Sequence, residues 1–278
     1  MRLGGPVFAK HTDPAGWIAE VRKLGYSAAF CPLSADASDD EVRAYEAAAR
    51  EADVVIAEVG AWSNPIDADD TKRREAIAHN EAQLALADRI GARCCVNVSG
   101  SRGTRWAGPH VDNLTDDTFD LVVETVRKII DAVKPTRAFY TLETMPWMVP
   151  DTPDSYVRLI DAIDRERFAA HFDPVNLISS PQRYFYNADL IRECFAKLGP
   201  KIKSCHAKDI LLADKLTVHL DEVCPGDGGL DYGVFLAELD RLDADTPLML
   251  EHMKAPEDYA RGAAHIRRCA DEGGIILR

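Results

Sequence analysis

Apolar and polar positions alternate along this chain on two scales. Short apolar runs of strand length give way to polar turns and then to longer segments in which apolar residues recur at three- and four-residue spacing, and the unit repeats about eight times. Such alternation predicts a parallel sheet covered by helices. The opening unit is the weakest, with glycine-rich Leu3–Phe8 as its strand. Asp13 then caps a helix with Pro14 at its first position, Trp17, Ile18, Val21 and Leu24 on one face and Gly25 as its stop.

The second strand is expected over Ser27–Pro32, followed by Ser38-Asp-Asp-Glu41, a capping-box spacing that opens a helix. Val54–Gly60 is the third strand, and a helix over 70–90 stops at Gly91. Cys94–Val98 is the fourth, running into a glycine-rich loop from Ser99 to Asn113. Thr115 with Asp116 and Asp117 starts a strongly amphipathic helix carrying Phe119, Val122, Val126, Ile129 and Val133, closed by Pro135. Phe139–Glu143 is the fifth strand, Thr152 to Asp154 caps the next helix, and the strand ending at Asp173 leads into an aromatic loop, Ser179–Tyr186. A sixth helix ends at Gly199-Pro200, the strand Ile202–His206 precedes a long loop from Leu211 to Gly229, and Asp231 opens a helix. The strand ending at Glu251 and a helix from Pro256 to about Gly273 complete the pattern.

At 278 residues the chain is close to the roughly 250 typical of eight βα units. A single-domain α/β fold, the (β/α)8 or TIM barrel, is therefore expected over residues 1–278, and no linker or low-complexity segment divides it. A formal charge of −13, from 33 basic against 46 acidic residues, opposes a phosphodiester backbone, and no dense run of Lys and Arg compensates. Nucleic acid is therefore not an expected partner. No apolar run approaches the roughly 18 residues of a membrane span, and the first residues lack the apolar core of a signal peptide, so no membrane association and a cytoplasmic location are expected. The seven cysteines contain no C-x-x-C pair and read as small core residues in a reducing compartment. A homo-oligomer is left open.

Four of the apolar runs end in a metal-capable side chain: Glu143, Asp173, His206 and Glu251, about 30 to 45 residues apart. If consecutive strands lie parallel in a closed barrel, all four converge on one rim, where such folds keep their chemistry. A single Asp or Glu at a strand end more often caps or pairs with a neighbour. Four together point to one divalent cation, with Mn²⁺ first and Mg²⁺, Co²⁺ or Zn²⁺ as alternatives, because the donors are mostly hard oxygens.

These residues carry a resemblance to the xylose-isomerase-like barrels, often described as sugar phosphate isomerases/epimerases, a family that also holds endonuclease IV, inosose dehydratase and the ketose 3-epimerases. Glu143 matches its metal-binding glutamate after strand five, Asp173 the aspartate after strand six, His206 the histidine of a His-x-Lys-Asp motif (here His206 to Asp209), and Glu251 the final glutamate. Pro225–Tyr232 is similar to the glycine-rich segment before the seventh helix. The resemblance implies a sugar, polyol or sugar-derivative substrate, with Glu143 and Glu251 as an acid/base pair moving a proton beside a carbonyl and a metal stabilising the enediolate. It implies an isomerase or epimerase. The alternative is a lyase that uses the same proton abstraction to dehydrate or to cleave a bond to an aromatic group, and a non-catalytic binding barrel comes further behind. The chain departs from the pattern where ketose epimerases and the endonuclease carry a histidine three residues after the aspartate, since Asn176 stands there. Trp62-Ser-Asn64 and Asn97-Val-Ser99 replace the endonuclease's extra metal-binding histidines, which argues against a trinuclear phosphodiesterase site.

Around the metal, Trp62, Trp106 and Trp147 are expected at the mouth, stacking on a sugar face or an aromatic aglycone. Asn97, Asn176, Arg183 and Lys208 are candidates for polar contacts to substrate, and Lys208 with Asp209 for support of His206. His171 is expected buried beneath the metal, His110 and His219 solvated, and His252 turned away from the barrel axis by strand alternation.

Overall fold

The protein, described over residues 1–278 by a computed structural model, runs β1 (Arg2–Gly5), α1 (Pro14–Lys23), β2 (Ala28–Phe30), α2 (Asp39–Glu51), β3 (Val55–Gly60), α3 (Asp70–Ile90), β4 (Cys94–Asn97), α4 (Asp116–Val133) and β5 (Phe139–Glu143). It continues with α5 (Pro153–Ile163), β6 (Phe168–Phe172), α6 (Pro181–Phe185), α7 (Asn187–Leu198), β7 (Ile202–Ala207), β8 (Asp209–Leu212), β9 (Leu220–Val223), α8 (Tyr232–Leu239), β10 (Pro247–Leu250) and α9 (Pro256–Glu272). Eight strands close a barrel in the order β1, β10, β7, β6, β5, β4, β3, β2, every neighbouring pair parallel. The fold is a single-domain (β/α)8 TIM barrel.

Local chemistry sets the element ends. Ser38 and Glu41 form the capping box of α2, and removing such a cap costs about 1 kcal/mol. Gly91 closes α3 at φ 74°, a left-handed conformation that a Cβ disfavours. In α4 the spacing of Phe119, Val122, Val126 and Ile129 puts all four on the buried face. Each such fully buried side chain contributes roughly 1.5–3 kcal/mol. The core between strands and helices is one continuous cluster of 61 buried apolar residues, so the strand ends are held rigidly.

Three expectations are corrected. β1 stops at Gly5, because the following residues leave the ring of strands. The aromatic stretch Ser179–Tyr186 is not a loop: Ser180 caps it, Pro181 occupies the first helical position, and α6 forms. The segment from Leu211 to Gly229 contains β9, paired antiparallel with β8 as a hairpin standing on the carboxyl-terminal rim. Each arm is only four residues long, too short for alternation to separate from a loop. No helix is long and apolar enough to cross a membrane.

Candidate metal centre and cavity

Glu143 is the last residue of β5, Asp173 and Glu251 directly follow β6 and β10, and His206 lies on β7. Parallel closure carries all four to one rim, with one ligand-capable atom from each lying within 4.8 Å of the others. His206 Nδ1 is 3.1 Å from Glu143 Oε1 and 3.0 Å from Glu251 Oε2. Lys208 reaches into the same cluster, its Nζ 2.8 Å from Asp173 Oδ2, 2.7 Å from Glu251 Oε2 and 3.6 Å from Glu143 Oε1.

The electrostatics follow from burial and charge together. Burial pushes the Glu143 carboxyl up, but Lys208 and His206 outweigh it and bring it down to about 2. Burial likewise opposes ionisation of Glu251, and His206 and Lys208 again hold it well below the usual carboxylate range. Asp173 is pushed up to about 6 by burial, which Lys208 only partly counters while Glu143 adds to it. Burial works against a charged His206, yet Glu251, Glu58 and Glu143 raise it well above the ordinary imidazole value. Lys208 is raised in the same way by Asp173, Glu143 and Glu251 against its own burial.

The donor set fits a divalent cation. Asp173 Oδ2 and Glu251 Oε2 are buried and, although Lys208 is close to both, neither has a donor aligned for a hydrogen bond. Sharing one ammonium between them, these buried oxygens are suited to a further positive partner. Three carboxylates balance one ammonium and one dication when His206 is neutral, and Glu143, Asp173, His206 and Glu251 would hold that ion.

Beneath them lies a layer in which His171 was expected and Glu58 was not. Glu58, in the middle of β3 and 1% exposed, has Oε1 2.9 Å from His171 Nε2 and accepts from the Ser204 hydroxyl through the same oxygen, while Oε2 is 3.3 Å from His206 Nε2. Burial pushes its carboxyl up, and His171 and His206 more than offset this to hold it well below the usual range. The His171 and His206 rings meet edge to face at 4.1 Å, so His171 lies buried in this lower layer. The contact from Glu58 favours a proton on His206 Nε2 and directs Nδ1 at Glu143 and Glu251, where it can ligate once its own proton is lost. An acidic residue inside the apolar run Val54–Gly60 was the available signal, since a carboxylate there is costly unless partnered.

Above the cluster opens a cavity of about 410 Å³. Its polar lining is Glu143, Asn176, Lys208, Glu222, Glu251 and His252, and its aromatic and apolar lining Trp62, Val98, Trp106, Ala107, Met145 and Trp147, with the Trp62 ring 6.5 Å from that of His206. Trp62, Trp106 and Trp147 thus all stand at this mouth, 41%, 47% and 38% exposed. Asn176 Nδ2 donates to Glu143 Oε1 at 3.1 Å. Glu222, delivered by β9, lies 3.6 Å from Lys208 Nζ and 3.2 Å from His252 Nδ1. No local pattern marked Glu222, because its strand was read as loop.

Four expectations about individual residues are corrected. Asn97 faces the helical layer instead of the cavity: its register partner is Leu142, and its amide bonds Ser63 N and Asn80 Oδ1. Arg183 is turned back onto the Leu177 carbonyl at 2.7 Å, in a separate shallow cleft with Thr152, Asp154 and Glu193. Asp209 does not support His206; its carboxylate accepts from the amides of Gly226, Gly228 and Leu230 and so shapes the glycine-rich segment. His252 faces the cavity, because β10 has already ended and a φ of 59° breaks the alternation.

A closed parallel barrel with buried carboxylates and a histidine gathered at its carboxyl-terminal rim defines a class of barrels built to carry chemistry at that end. Residues 18–269 match the family model described as xylose isomerase-like TIM barrel, and the chain belongs to that family. Similar solved structures include a xylose isomerase-like TIM barrel protein from Mycobacterium smegmatis in complex with magnesium, at 17% identity and TM-score 0.69, covering 98% of this chain and 97% of that one. D-psicose 3-epimerase, solved in the presence of D-fructose, is similar at 15% identity and TM-score 0.71, covering 99% and 100%. Endonuclease IV from Thermus thermophilus is similar at 17% identity and TM-score 0.74, covering 98% and 100%. At these identities the likeness establishes the fold. No curated protein sequence matches the chain.

Proposed function

We propose that the protein is a metal-dependent isomerase or epimerase of a polyhydroxy carbonyl compound, a sugar, polyol or sugar derivative, with Glu143 and Glu251 as its proton-transfer pair. The observation that carries this reading is their placement: they come from β5 and β10, on separated parts of the ring, and both line one cavity next to the same imidazole nitrogen. Lys208 and His206 keep both as carboxylates, the form a base needs. One removes a proton from the carbon beside a carbonyl, and the other returns it at that carbon or its neighbour. Lys208 donates toward the substrate oxygen on which negative charge develops, and Asn176 orients a hydroxyl beside Glu143. A bound divalent ion, Mn²⁺ by preference, would supply Lewis-acid stabilisation of that charge.

A small molecule suits the site better than nucleic acid. The mouth offers aromatic and apolar surface, its one lysine or arginine, Lys208, sits among carboxylates, and the chain's net charge is −13. Seven unpaired cysteines support a reducing, cytoplasmic setting. A second reading rests on the three tryptophans: the same proton abstraction followed by loss of a β-substituent makes the enzyme a lyase, with the aromatic mouth receiving an apolar leaving group.

The test is incubation of the Mn²⁺-loaded protein in D₂O with a panel of ketoses and keto-polyols. Deuterium should appear beside the carbonyl, and Glu143→Gln or Glu251→Gln should each lower turnover roughly 10²-fold or more. Normal turnover in both variants, with metal bound, would overturn the reading; product identity separates isomerase from lyase.

A further inference from the structure

The aromatic and apolar side chains that line the cavity offer a hydroxyl group few partners. Trp147 donates its indole N–H to the Ala107 carbonyl at 2.9 Å, so its polar atom is engaged in the wall. The Nε1 edge of Trp62 packs on Gly60, where a Cβ would come within 2.4 Å of that nitrogen. Trp62 and Trp147 therefore turn their polar edges toward the protein, and Val98, Ala107 and Met145 add no donor. The polar side chains of the lining form one connected cluster, Glu143, Asn176, Lys208, Glu251, Glu222 and His252. A free sugar, with a hydroxyl on nearly every carbon, would leave hydroxyls without partners against this wall, whereas a flat apolar ring gains from burial and stacking there.

We propose that the mouth is an aryl subsite: the substrate carries an aromatic group held among Trp62, Trp106 and Trp147, joined to a hydroxy-carbonyl end that reaches the carboxylates. This rests on the function proposed above for the polar end. The aromatic end is read from the wall itself.

A matched pair of small probes tests it, 2-hydroxyacetophenone and hydroxyacetone, which share an α-hydroxyketone and differ by phenyl against methyl. Calorimetric titration of the Mn²⁺-loaded protein should show the phenyl compound binding about tenfold tighter or more. Trp62→Ala and Trp147→Ala should each reduce that preference severalfold, Trp62→Phe should largely retain it, and Phe185→Ala, an exposed ring outside the cavity, should leave it unchanged. Both tryptophans are more than a third exposed, so their truncation spares the core. A preference under about threefold, a preference that survives loss of either tryptophan, or no detectable binding of either probe would overturn the proposal. The comparison needs no turnover. Aryl preference without deuterium exchange would keep the subsite and sink the proton-transfer reading, and exchange without aryl preference would do the reverse.

Discussion

Replacing Glu58 by glutamine removes a charge from beneath the metal centre without replacing any of the four ligands. The carboxylate is 1% exposed and contacts His171, Ser204 and the Nε2 side of His206, with Oε2 3.3 Å from that nitrogen. It thereby favours the neutral tautomer that keeps its proton on Nε2 when a metal takes Nδ1, the nitrogen turned toward Glu143 and Glu251. An isosteric amide still accepts one hydrogen bond but loses the charge that favours that tautomer. Outer partners of metal-binding histidines are worth about 10- to 100-fold in affinity, or roughly 1.4–2.7 kcal/mol. Alanine should do more damage, because three buried donors lose their acceptor at about 1–3 kcal/mol each. Calorimetric titration with Mn²⁺ and a thermal melt of metal-free protein separate the two effects. Glu58→Gln should weaken Mn²⁺ binding 10- to 100-fold while shifting the metal-free melting temperature by only a few degrees, and Glu58→Ala should melt far earlier. A Glu58→Gln variant that binds Mn²⁺ within about twofold of wild type would refute the positioning role.

Two further predictions concern pH. His206 is raised well above the usual imidazole value by Glu251, Glu58 and Glu143, against its burial, yet it must be neutral to ligate. Mn²⁺ binding at pH 7 should therefore release about one proton and strengthen as pH rises, visible as a dependence of titration heat on buffer ionisation enthalpy; heats independent of buffer would contradict this. Asp88 accepts from the amides of Thr136, Arg137 and Ala138, and although burial pushes its carboxyl up, those amides hold it below the usual value. Its contribution is thus full above about pH 4 and lost as pH falls through the depressed value. Asp88→Asn should cost about 1 kcal/mol at pH 7, discounted for its half-exposed position, and the gap should narrow in urea melts as pH falls below the usual carboxylate range; a gap independent of pH would be the wrong result.

The four convergent side chains were legible because each ends an apolar run, and a parallel barrel turns that one-dimensional fact into proximity. Side-chain direction near a strand end was harder to read. Asn97 shares its register with Leu142, so it faces the same side as Tyr140, which also bonds Asn80 of α3. Only the pairing of β4 with β5 reveals this. His252 lies beyond the point where alternation applies, and its positive φ brings the ring back over Glu222. Arg183 looked free in a loop, but a capped turn of helix returned it to a carbonyl of its own segment. Glu222 depends on a hairpin whose arms carry too few residues for a periodic signal. Glu58 was readable in principle, as a carboxylate within an apolar strand whose partners come from β6 and β7.

The most direct test of the account is the metal content of the purified protein after mild loading with Mn²⁺ and removal of excess, measured by elemental analysis beside Asp173→Asn and Glu251→Gln variants. Glu143, Asp173, His206 and Glu251 offer four ligand atoms within 4.8 Å of one another, and the other such group, Glu58, His171 and His206, shares His206 and is held together by its own hydrogen bonds, so about one ion per chain is expected in wild type and much weaker retention in either variant. Two or three tightly held ions, or one ion retained undiminished in both variants, would contradict the assignment of these four residues as the site.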